Sequence, residues 1–170
     1  MKTLSRAAAL MLLILLAACG SDGRNEPYST SQDVGEFLKH MHAVSRRIDD
    51  IRENMLETGH DYHLTKRITS SEAMDRIDGM YRLSDSLENE FDELKVPHVK
   101  DAAADTDLYD VKSDLESMLS EERRSVDLLK ESVEKEDYAY FDQAMDNTTN
   151  AMNAMDTIAE SLNSLQSWHE

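Results

Sequence analysis

Apolar residues in this 170-residue chain recur at alternating steps of three and four in four separate stretches. That spacing is the strongest constraint on its fold. In the first stretch Val34, Phe37, Met41, Val44, Ile48, Ile51 and Met55 form an unbroken a/d seam. On an α-helix such residues share one narrow face, which must be covered by another helix. The second stretch places Ala73, Ile77, Met80, Ser84, Leu87, Phe91 and Leu94 in the same rhythm. The third carries Leu108, Val111, Leu115 and Met118, then Leu119, Val126, Leu129 and Val133, with a shift near Glu122. The fourth reads Tyr138, Phe141, Met145, Thr148, Met152, Met155, Ala159 and Leu162, with Leu165 and Trp168 behind.

Punctuation between the stretches is sparse, since the chain has five Gly and two Pro. Thr30, Ser31 and Asp33 are candidate caps for the first helix, and Gly59 is a suitable stop. Thr69-Ser70-Ser71-Glu72 matches a capping box. Pro97 closes the second stretch, and Asp137 caps the fourth after a Glu136-Asp137 turn. The expected fold is all-α, an antiparallel up-down four-helix bundle with helices over about 33–58, 70–95, 99–135 and 138–168. A helical hairpin that pairs with a second copy is the alternative architecture.

Charge bears on both stability and partners. The chain holds 18 Lys and Arg against 35 Asp and Glu, a formal net charge of −17. Such a field repels nucleic-acid backbones and anionic lipid headgroups, so no nucleic-acid partner is expected. A charge density this high also borders on that of disordered chains, and only the placement of the apolar residues argues for a folded core.

The N-terminus carries an address. Lys2 and Arg6 precede an apolar run from Ala7 to Ala18, which ends in Leu16-Ala17-Ala18-Cys19-Gly20. The run is shorter than the ~20 apolar residues of a transmembrane helix and suits a secretory signal. The lone cysteine excludes an intrachain disulfide and any Cys-based zinc cluster. The segment resembles the signal and lipobox of a bacterial lipoprotein. That resemblance implies a signal over residues 1–18, removed by cleavage, and acylation of Cys19, which becomes the first mature residue. It also implies a membrane partner reached through that lipid. Gly20 in place of Asp implies an outer-membrane location facing the periplasm in a Gram-negative source. Loss of Lys2 and Arg6 would leave 16 basic and 35 acidic residues, a net charge of −19. Residues 19–32 then form a flexible Gly-, Pro- and Ser-containing tether.

Few constellations suit chemistry. His40-Met41-His42 offers soft copper ligands, but neighbours on a helix diverge by about 100° and Met41 belongs to the seam. His60-Asp61-Tyr62-His63 sets two imidazoles and a carboxylate in an expected loop, a possible divalent-metal set. A haem bound by Met41 and His169 is the weakest of these arrangements. Glu57-Thr58-Gly59-His60 alone fits the Glu-x-x-His pattern, where a di-iron bundle needs two. No nucleophile elbow, phosphate loop or metalloprotease motif is present. The methionines read as core filler, or as a soft groove for a partner. An intact third seam would bury Glu122 as an acid of raised pKa. The expectation is a local turn of the helix that carries it to solvent beside Arg123 or Arg124.

These features predict a non-enzymatic interaction or structural module of the cell envelope, with no cofactor. It would be anchored through Cys19 and engage a protein partner. The alternative is an extracytoplasmic copper-like or haem-binding bundle using His40, Met41, His42, His60 and His63.

Overall fold

A computed structural model describes residues 27–167, with the side chains of residues 150, 153, 154, 156 and 167 left out. The signal, Cys19, most of the tether, Trp168 and His169 lie outside the described residues. The described chain is all-α, with no strand among these residues. Its elements are α1 (Ser31–Gly59), a five-residue π-helical turn (His60–Leu64), α2 (Ser70–Glu93), α3 (Ala102–Glu134) and α4 (Tyr138–Ser167).

Local chemistry sets the ends of the helices. Thr30 and Asp33 form a reciprocal capping box at α1, and Thr69 and Glu72 form another at α2. Each ties down two of the four amide groups a helix start leaves unbonded. Bonding to Thr30 and to Thr69 holds the Asp33 and Glu72 carboxyls below their usual pKa. α3 is capped by Asp101, whose carboxylate accepts from the Ala103 and Ala104 amides. With this cap the helix begins at Ala102, a little after the expected start at about 99.

The stop at Gly59 is different from the expected one. Gly59 has right-handed dihedrals, φ −64° and ψ −42°, and the chain runs on into the π-helical turn. A Cβ on Gly59 would lie 2.0 Å from Phe141 Cε2. Glycine is required there because the Phe141 ring presses on the backbone. The left-handed positions are held by Lys66 and Glu136, each with φ 53°. At the end of α3 the Glu136 amide donates to Val133 O and the Asp137 amide to Ser132 O. That is a Schellman turn with a glutamate where glycine is usual.

The four seams meet in one core, in which Met41, Ile48, Ile51, Met55, Ile77, Leu87, Leu115 and Leu129 are wholly buried. α3 and α4 share the most extensive contact, and α1 packs on all three other long helices. In α4 the buried row is Phe141, Ala144, Thr148, Ala151, Ile158, Leu162 and Leu165. The sequence pattern had favoured Met145, Met152 and Ala159 in place of Ala144, Ala151 and Ile158. Met152 is instead half-exposed. The small alanines let α4 lie close to its neighbours, while methionine is bulkier and suits the margin.

Candidate functional site

The histidines picked out by the sequence fall into separate environments. Met41 is wholly buried in the core. His40 leaves the seam and sets Nε2 2.8 Å from Glu90 Oε1, and the same carboxylate pairs with Arg47. His42 is half-buried on α1. The loop pair also separates. His60 Nδ1 stands 3.8 Å from Asp61 Oδ1, and the nearly buried Asp61 faces Arg76 at 3.4 Å. His63 turns into a ring cluster, stacked on Phe141 at 5.7 Å and edge-on to Tyr62 and Tyr138.

His63 Nε2 lies 2.8 Å from Ser132 Oγ, whose own hydroxyl donates to Leu129 O. With the serine proton committed, His63 must be the donor, so its Nε2 carries the hydrogen. Burial pushes the imidazole below its usual pKa, and Lys66 adds to that shift. His63 is thus a neutral packing histidine that staples the π-helical turn to α3. Among the described residues no three His, Cys, Asp or Glu side chains are grouped to hold a metal ion.

The middle of the core holds the most unusual chemistry. Glu122 is wholly inaccessible, and both carboxyl oxygens lack a hydrogen-bond partner. The expected rotation to solvent does not occur. Arg123 instead pairs with Asp85 and Glu88 on α2. The α3 seam continues without a shift through Leu115, Met118, Glu122, Ser125 and Leu129, all buried. Ser84 of α2 and Thr148 of α4 are buried seam residues as well, and the Thr148 hydroxyl also has no partner. Burial pushes the Glu122 carboxyl up to about 7; Arg52 opposes that shift, and Asp49 and Glu121 add to it. Arg52 is already bound to Asp49 one turn earlier on α1. The carboxyl is therefore held in its neutral form over a range where ordinary glutamates are ionised. The signal that could have found it was the unbroken step of four from Met118, followed by the step of three to Ser125.

Two of the surface pockets among the described residues bear on these side chains. One of about 440 Å³ lies where Pro27 and Ser29 run beside Leu94–His98, and His40 and His98 both line it. His98 is fixed there by Asp105, 2.9 Å from Nδ1, and by Ser29, whose amide donates to His98 O and whose hydroxyl oxygen accepts from the His98 amide. The other, about 360 Å³, is a groove between α3 and α4. Met118, Ala151 and Ile158 contribute its apolar lining, and Asp114 and Glu121 its charge. α4 carries no Lys or Arg, and its Asp142, Asp146 and Glu160 form no ion pair among the described residues. Carboxylates on α2 and α3 do find cations.

Fold and site together define an acidic helical bundle with a polar residue row through its core. No protein-family model, curated protein or solved structure matches the chain.

Proposed function

We propose that the protein is a non-enzymatic interaction module of a bacterial cell envelope, held at the membrane by acylated Cys19. In a Gram-negative source it sits on the outer membrane and faces the periplasm. Its domain is an antiparallel up-down four-helix bundle, and a basic amphipathic helix of a partner protein docks along α3 and α4. The topology is supported by pairs at both ends. Ser29 meets His98 at one end and His63 meets Ser132 at the other. Arg47 to Glu90 and Ser45 to Met155 join the flanks between them. No described helix is long and apolar enough to cross a membrane; the lipobox around Cys19 is what supports attachment through a lipid.

The observation that carries the interaction reading is the uncompensated acidity of α4 beside an apolar-lined groove. Unpaired carboxylates around an apolar strip complement a helix with one apolar and one cationic face. Met145 and Met152 on the margin offer adaptable contact. Two measurements test the two halves of the proposal. Cys19→Ser should move the full-length chain from sedimented membranes to the soluble extracytoplasmic fraction, and retention on membranes would contradict the anchor. The Cys19→Ser chain, titrated with a 14-residue leucine–lysine helical peptide, should bind it in a salt-sensitive manner. Neutralising Asp114, Glu121, Asp142 and Asp146 together should weaken binding about tenfold or more. Equal binding of a scrambled peptide of the same charge would reduce the effect to bulk electrostatics and overturn the docking face.

A further inference from the structure

Ionising Glu122 inside the closed core leaves the charge with the Thr148 hydroxyl as the one uncommitted donor of the row, too little to offset a full charge. From α1 the charges that act on it are Arg52 and Asp49, already bound to each other, and from its own helix Glu121. α2 contributes buried Ser84, whose hydroxyl donates to Met80 O, and α4 contributes buried Thr148. The carboxylates Asp85 and Glu88 of α2 are engaged by Arg123. An uncompensated buried carboxylate is too costly to persist, so either Arg52 leaves Asp49 or Glu122 reaches water. A surface groove between α3 and α4 runs past this stretch of the row. Its lining residues Met118 and Glu121 lie one turn and one residue before Glu122, and Asn147 and Ala151 flank Thr148.

We propose that Glu122 is a proton-operated latch: protonated, it lets α3 and α4 close over the core, and loss of the proton opens the α3–α4 seam beside it. The latch belongs to the fold and does not depend on the docking reading. It predicts a domain tight at mildly acidic pH and looser above neutrality, with the change confined to the middle of two helices. The first turns of α1, remote in register from the row, remain closed.

Hydrogen exchange on the full-length Cys19→Ser chain tests this at pH 5.5 and pH 8.5, after correction for intrinsic exchange rates. Amides over 115–126 and 144–152 should lose about tenfold or more of their protection at the higher pH, while those over 37–44 change little. Glu122→Gln, which cannot ionise, should keep both segments protected at both pH values. Glu122→Met serves the same purpose if the amide proves poorly tolerated. His63→Gln should leave the response in place, since it removes the partly buried imidazole whose pKa burial lowers and spares Glu122. An equal pH response in the Glu122 variants, or unchanged protection in the unsubstituted protein, would overturn the latch.

Discussion

Glycine and left-handed backbone are uncoupled here, and that inverts the usual rules of substitution. Gly59 sits in right-handed helix, where alanine would ordinarily gain about 1 kcal/mol. The site cannot take it, because the added carbon would stand 2.0 Å from a Phe141 ring that is itself almost wholly buried. Gly59→Ala should therefore lower the unfolding free energy by about 2 kcal/mol in urea titrations followed by circular dichroism. Pairing it with Phe141→Leu should recover part of that loss, as contacting residues do in double-mutant cycles. Glu136 is the converse case. Its φ of 53° strains a side-chain-bearing residue, so Glu136→Gly should raise stability by roughly 0.5–1 kcal/mol. From sequence, Gly59 reads as a helix stop because that is where glycine is most often required. Its true partner lies more than 80 positions away in the chain, and no local pattern reports it.

At the scale of the helices, the periodicity of α1 and α2 was legible. Every predicted seam residue of α1 is buried, as are those of α2 from Ala73 to Phe91, while Leu94 is half-buried past the helix end and Leu38 and Thr58 are buried beside the α1 row unpredicted. α3 and α4 were harder, for opposite reasons. In α3 a charged residue occupies a core position, and the rule against burying charge outweighed an intact repeat. In α4 the choice lay between rows one residue apart, and the bulkier methionines outweighed the alanines. Size favours methionine only when the neighbouring helix stands far enough away. The extensive contact between α3 and α4 favours alanine. Ala144→Leu should accordingly cost about 1–3 kcal/mol through overpacking, while Met152→Gln should stay within about 0.5 kcal/mol of the parent. Thermal melts of the two variants decide between the rows, since the methionine row would reverse the order. The Thr69–Glu72 capping box was legible too, because it satisfies orphan amides within four residues and needs no tertiary context; at α1 the sequence left Thr30, Ser31 and Asp33 open, and Thr30 is the cap, with Asp33 closing the box.

For the whole molecule, stability should follow pH through two groups that act in opposite senses. Glu122 binds its proton more tightly when folded than when unfolded, because burial raises its pKa from 4.5 to about 7. Its favourable contribution is complete below the unfolded value and is lost as pH rises to about 7, amounting to about 3 kcal/mol. His63 is shifted downward, so its contribution is complete above its unfolded value and is lost as pH falls through its folded one. The excess of 17 negative charges adds self-repulsion that salt screens. A buried carboxyl is a costly element in a core that must already hold such a chain together, and its raised pKa depends on its being closed to water. The most direct test is a carbon-13 NMR titration of the Glu122 side-chain carboxyl in the full-length Cys19→Ser chain. The midpoint should fall near 7, well above the ordinary carboxylate range. A midpoint in the ordinary range of about 4.3 would mean that water reaches the residue, and would contradict the closed core.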